Sequence, residues 1–121
     1  MAAVKKVMLI EDDQTMQSVL RTLLEIEGYQ VSTAPDRLPL DQIVRAIRET
    51  KPDSILLDVH LHSASGFEIL DRIRRDPTIA GTRVVMTSGM DMKDECIAAG
   101  ASDFLLKPFM PDELIHKLGG V

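Results

Sequence analysis

Short apolar runs alternate with segments of helical periodicity along this chain, and that alternation most constrains its fold. Val7-Met8-Leu9-Ile10, Ile55-Leu56-Leu57, Val84-Val85-Met86 and Phe104-Leu105-Leu106 are each long enough for a strand and too short for a helix. Between them, apolar residues recur at helical spacing: Met16, Val19, Leu20, Leu23 and Leu24; then Leu40, Ile43, Val44 and Ile47; then Phe67, Leu70 and Ile73. The pattern predicts strands over about 5–10, 29–33, 54–58, 84–86 and 102–106, and helices over about 14–27, 40–50, 66–75, 92–99 and 111–118. Gly28 and Gly100 stand where helices end, and Pro111 stands in a first turn, where a missing N–H costs little. Strands separated by helices call for a parallel sheet with right-handed crossovers. The expected fold is a three-layer α/β sandwich with strand order 2-1-3-4-5, which sets strands one and three side by side at the switch point.

A length of 121 residues fits one domain over 1–121 that needs no disulfide or metal to hold its core. Aromatics are 3% and Trp is absent, so the core must be aliphatic, which favours helices on a sheet over a β-sandwich. The net charge of −5 argues against nucleic acid or an anionic membrane as a direct partner. Arg72, Arg74 and Arg75 are expected on a solvated helix face. The single Cys96 excludes an intrachain disulfide and suits a reducing compartment. The four apolar residues after Lys6 are too few for a signal-peptide core, and no run approaches a membrane span. A soluble cytoplasmic protein is expected.

The strand ends carry the chemistry. The first apolar run stops at Glu11-Asp12-Asp13, the third strand at Asp58, and the fifth at Lys107-Pro108. In an open parallel sheet, ligands bind beyond the carboxyl ends of the strands. Taken alone, the acidic triplet reads equally well as a helix cap. Gathered together, two carboxylates about 5 Å apart repel by about 3 kcal/mol at an effective dielectric of about 20. Lys107 offsets part of that repulsion, and a bound Mg²⁺ would offset more. Mg²⁺ takes hard oxygen ligands, one or two carboxylates, waters and phosphate oxygens, so the donor set suits a phosphoryl group.

The chain resembles the receiver domain of two-component response regulators over essentially its whole length. The matching segments, in order, are Leu9-Ile10-Glu11-Asp12-Asp13, Pro52-Asp53-Ser54-Ile55-Leu56-Leu57-Asp58, Gly66, Val84-Val85-Met86-Thr87-Ser88-Gly89, Gly100-Ala101-Ser102-Asp103-Phe104 and Leu106-Lys107-Pro108-Phe109. The resemblance implies a doubly wound, flavodoxin-like sheet and a phosphorelay signalling role rather than an ordinary enzyme. It implies that Asp58 accepts a phosphoryl group from a histidine kinase or phosphotransfer protein, and that the domain assists its own phosphorylation and dephosphorylation. Asp12 would bind Mg²⁺ directly, Glu11 through water, and His60 through its backbone carbonyl. Ser88, with Thr87 as the alternative register, would bond one phosphoryl oxygen. Lys107, before a cis Pro108, would pair with another. Phe104 falls at the aromatic switch position. Phosphorylation would draw Ser88 in, rotate Phe104 inward, and alter the face of helix four, strand five and helix five. A downstream effector, or a second copy in a dimer, would read that face.

Four features depart from the family pattern. His62 stands where proline is common. The stretch from Ser88 to Lys107 is about one helical turn short, so helix four should be stubby. Helix five is short too, and Phe104 lacks the hydroxyl of the usual tyrosine. His60 and His62 also admit a transition-metal reading, set below exposed loop histidines. Two other functions compete with this reading: a pseudo-receiver binding module, and a haloacid-dehalogenase-type phosphatase built on Glu11-Asp12-Asp13-Gln14-Thr15. Against the second, Glu11 replaces the aspartate that would be the nucleophile. A flavodoxin-type nucleotide binder would need a glycine-rich loop after strand one, which is missing.

Overall fold

The computed structural model describes residues 5–34, 39–62 and 64–119. Five strands alternate with five helices: β1 (Lys6–Ile10), α1 (Gln14–Ile26), β2 (Gln30–Thr33), α2 (Leu40–Thr50), β3 (Ser54–Asp58), α3 (Gly66–Arg75), β4 (Arg83–Ser88), α4 (Lys93–Ala98), β5 (Asp103–Leu106) and α5 (Pro111–Lys117). The sheet is parallel throughout with order β2-β1-β3-β4-β5. Both expectations from the alternating pattern therefore hold.

Side chains alternate faces along each strand, and the register aligns them across the sheet. Ile10, Leu57, Met86 and Phe104 form one row across β1, β3, β4 and β5. That row joins the core beneath α2, α3 and α4, with Ile43, Ile47, Ile69, Ile73 and Cys96. Leu9, Leu56 and Val85 face the opposite way and pack with Leu20 and Leu24 of α1, Leu114 of α5 and Leu118 just past its end. All five residues of β3 are buried, as a central strand covered on both faces requires.

The helix ends have local causes. Asp13 caps α1 by accepting from the Met16 N–H, and Gly28 at φ 93° turns the chain out of it. Ser65 caps α3 through the Phe67 N–H, and α5 begins on Pro111. At six residues α4 is as stubby as expected.

Two sequence expectations need correction. Val19 belongs to the periodic stripe of α1 but is 50% exposed, on the side of the helix that faces the loop after β5. Arg74 is not part of a solvated face. Its guanidinium donates to the Gly100, Ala80 and Thr82 carbonyls at 2.8, 2.9 and 2.7 Å, clasping α3 to the loops before β4 and β5. Its neighbours do lie outward, Arg72 pairing with Asp41 and Arg75 with Asp71.

Candidate functional site

The strand register brings the charged ends together. Ile10 pairs with Leu57, so Glu11 comes level with Asp58 at the β1/β3 switch point. Ser88 closes β4, and the Lys107 N–H donates to the Ser88 carbonyl at 2.9 Å, extending the β4–β5 ladder by one step. The Lys107 side chain then reaches back across the sheet. Its Nζ lies 3.0 Å from Asp58 Oδ2 and 3.0 Å from Glu11 Oε2. The peptide bond between Lys107 and Pro108 is cis.

Glu11, Asp12 and Asp58 each offer an oxygen within 4.8 Å of the others, and no histidine or cysteine joins this group among the described residues. Three carboxylates gathered this closely give an all-oxygen donor set, which is what Mg²⁺ selects. The site fits Mg²⁺ and gives no support to a zinc or nickel centre.

Electrostatics point the same way. Burial, followed by the charge of Asp58, pushes the Glu11 pKa up from 4.5 to about 7, with Lys107 opposing. Burial alone would lower the Lys107 pKa. Its hydrogen bonds to Asp58 and Glu11 outweigh that and hold it above its ordinary value. Three carboxylates against one ammonium leave the site with an acidic excess that a cation relieves.

Other residues sort by contact. Asp58 Oδ1 accepts from the His60 N–H at 3.1 Å, while the His60 side chain is exposed. The Thr87 hydroxyl is committed to the Leu105 carbonyl at 2.7 Å. Ser88 Oγ accepts from the Met90 N–H at 3.1 Å, so Ser88 is the residue with a hydroxyl hydrogen to offer at the strand end. Asp13 is turned to α1 as its cap, so the acidic triplet is two site residues followed by one cap. That removes the second acid a dehalogenase-type phosphatase needs. Phe104 is already buried, 5% exposed, beside Met86. An outward ring awaiting rotation is therefore not what this conformation holds.

Gly66 has a part in the site beyond its place in the loop after β3. A Cβ there would overlap the Asp58 carbonyl oxygen and lie 2.9 Å from Val59 Cα. The glycine lets α3 start directly against the strand that ends in Asp58.

This α/β sandwich with an acidic cleft and a lysine across it is that of a phosphorylation-controlled signalling domain. The chain belongs to the response regulator receiver domain family, which matches residues 7–119. It is 31% identical over 120 residues to the phosphate regulon transcriptional regulatory protein PhoB of Pseudomonas aeruginosa, covering 97% of this chain and 51% of that protein. It is 30% identical to the DNA-binding response regulator MtrA of Mycobacterium leprae, covering 94% of this chain and 49% of that protein. The chain thus spans about half the length of these curated relatives. Among solved structures, the chemotaxis response regulator CheY4 of Vibrio cholerae superposes with a TM-score of 0.85 at 27% identity, covering 96% of this chain and 97% of that one. The receiver domain of the sensor histidine kinase PA1611 from Pseudomonas aeruginosa, which has a magnesium ion coordinated in its active-site cleft, superposes with a TM-score of 0.82 at 28% identity, covering 96% and 95%. Receiver domains are signalling modules that bind Mg²⁺ at an acidic site and work with histidine kinases or phosphotransfer proteins. No helix among the described residues is long and apolar enough to cross a membrane.

Proposed function

We propose that residues 1–121 form a single receiver domain in which Asp58 accepts a phosphoryl group from the phosphohistidine of a partner kinase or phosphotransfer protein. The observation that carries this is Lys107 Nζ at 3.0 Å from Asp58 Oδ2, beside the Glu11–Asp12–Asp58 oxygens. An Asp58 oxygen forms the new bond to phosphorus as the phosphorus–nitrogen bond breaks, and the imidazole keeps the electron pair. Lys107 and the Ser88 hydroxyl each hold one phosphoryl oxygen. Asp12, Asp58 and the His60 carbonyl would hold Mg²⁺, with Glu11 acting through water, and the ion when bound would supply positive charge to the phosphoryl oxygens. The product is an acyl phosphate that water hydrolyses, so the signal limits itself. These residues thereby assist both the gain and the loss of the phosphoryl group.

Ser88 and Phe104 carry the state outward. Ser88 follows Met86 by two residues on β4, on the same face, and Phe104 is paired with Met86 across the ladder. The α4–β5–α5 face is the output surface, offered to a downstream effector or to a second copy of the chain. The net charge of −5 keeps this domain itself off nucleic acid, and its place of action is the cytoplasm. Incubation with acetyl phosphate and Mg²⁺, read by intact mass, tests the acceptor. A gain of one phosphoryl group is expected, absent in Asp58→Asn. An undiminished gain in that variant would place the acceptor elsewhere.

A further inference from the structure

Asp12 has a partner of its own at the mouth of the site. Lys107 serves Glu11 and Asp58, whereas His62 Nδ1 lies 3.3 Å from Asp12 Oδ2. Asp12 is also the least protected of the three carboxylates, with 25% of its side chain exposed against 4% for Glu11 and 7% for Asp58. A carboxylate so exposed keeps one orientation only if something holds it.

The loop that presents His62 is itself anchored. The His60 N–H is bonded to Asp58 Oδ1 at 3.1 Å, and the Gly66 N–H to the Val59 carbonyl at 2.8 Å. Leu61 and Phe67 pack against the buried core on either side of His62. His62 thus reaches Asp12 from a segment tied to the acceptor strand.

From this contact and this anchoring we infer that His62 is a positioning residue for the cation. It holds Asp12 by Oδ2 and leaves Oδ1 available to the cation. The argument needs only a donor at Nδ1, and it rests on the Mg²⁺ reading of the site. Partners that orient ligating carboxylates change metal affinity by about 10–100-fold when removed. Because His62 is 56% exposed and the contact is long, a smaller loss of about three- to tenfold is expected here.

Isothermal titration of Mg²⁺ into the full chain at fixed pH tests this. The variants are His62→Ala, His62→Asn and Asp12→Asn. His62→Ala should weaken binding about three- to tenfold with little change in the metal-free melting temperature. His62→Asn places an amide nitrogen near the Nδ1 position and should recover most of the affinity. Unchanged or tighter binding in His62→Ala overturns the proposal, as does an equal loss in both His62 variants. If Asp12→Asn abolishes binding while His62→Ala does not weaken it, the metal site stands and His62 has no part in it. If the wild type binds no Mg²⁺, the metal reading itself fails, and His62 with it.

Discussion

Gly66 and Asp58 are in backbone contact so close that no side chain fits between them. A Cβ on Gly66 would meet the Asp58 carbonyl oxygen and the Val59 Cα, both main-chain atoms that cannot swing aside. The start of α3 and the end of β3 are thereby one rigid unit, and Asp58 is held at the carboxyl end of the central strand by packing as well as by Lys107.

Gly66→Ala should therefore cost about 1–3 kcal/mol, the usual range for overpacking, and should also weaken Mg²⁺ binding because the strand end must move. Gly81 is the control: a Cβ there meets nothing within 4 Å. Thermal melts with and without Mg²⁺ read both effects. A Gly66→Ala protein as stable as Gly81→Ala would show that the close approach carries no weight.

Arg74 makes charged hydrogen bonds to the Ala80, Thr82 and Gly100 carbonyls and to Ser102 Oγ, the last two in a part of the chain distant in sequence. Hydrogen bonds of this kind contribute about 1.5–3 kcal/mol each at most, and Arg74 is only half-buried, so Arg74→Met should destabilise by about 2 kcal/mol. Arg75→Met loses an exposed pair one turn apart on α3 and should change stability by less than about 0.5 kcal/mol. Urea titration distinguishes them. Equal midpoints would return Arg74 to the solvated face that its neighbours occupy.

These residues mark what a sequence reveals. Glu11, Asp12, Asp58 and Lys107 are legible because they stand at the ends of apolar runs, and a parallel sheet collects strand ends by construction, whereas Ser88 rests on the family resemblance, with Thr87 as its alternative. Gly66, Arg74 and His62 act through contacts between segments that local pattern does not encode. Gly66 matters only because of where the Asp58 carbonyl lies, and Arg74 looks like its neighbours until the carbonyls around it are known. Val19 shows the related limit: periodicity shows which residues share a helix face, not how far along that face the cover extends. The inward position of Phe104 depends on packing beside Met86, which the spacing from Lys107 does not carry.

Mg²⁺ should stabilise the fold by about 1.4 kcal/mol at ten times its dissociation constant. For a chain of this size that is a rise of roughly 4–7 °C in melting temperature. The rise should depend on pH. Between 4.5 and about 7 the metal-free folded protein keeps a proton on Glu11 that the unfolded chain has released. More protons are bound when folded, so this group's contribution to stability declines as pH rises through that window. A cation competes with the same proton, so the Mg²⁺-induced rise should be larger at pH 8 than at pH 6. Glu11→Gln should flatten the difference. A rise that is equal at both pH values in the wild type would remove Glu11 from the linkage.

The switch can be tested by what happens beside Phe104. Because the ring is already packed, the phosphoryl group cannot act by driving a large inward swing. It must shift the balance between two arrangements of the α4–β5–α5 face, one of them the packed arrangement described above. Phosphorylation adds about −1.5 to −2 charge and three strong acceptor oxygens, and the Ser88 hydroxyl is placed to donate to one of them. Any movement of Ser88 is felt by Met86 on the same strand face and by Phe104 paired with it. Beryllofluoride, a mimic of the phosphoryl group, should therefore shift amide resonances across residues 93–106 as well as those around Asp58. Ser88→Ala should still gain a phosphoryl group at Asp58, but its shifts over 93–106 should shrink to less than half. Wild-type shifts confined to the loops around Asp58 would leave an acceptor without a switch. Undiminished shifts in Ser88→Ala would move the coupling to another residue.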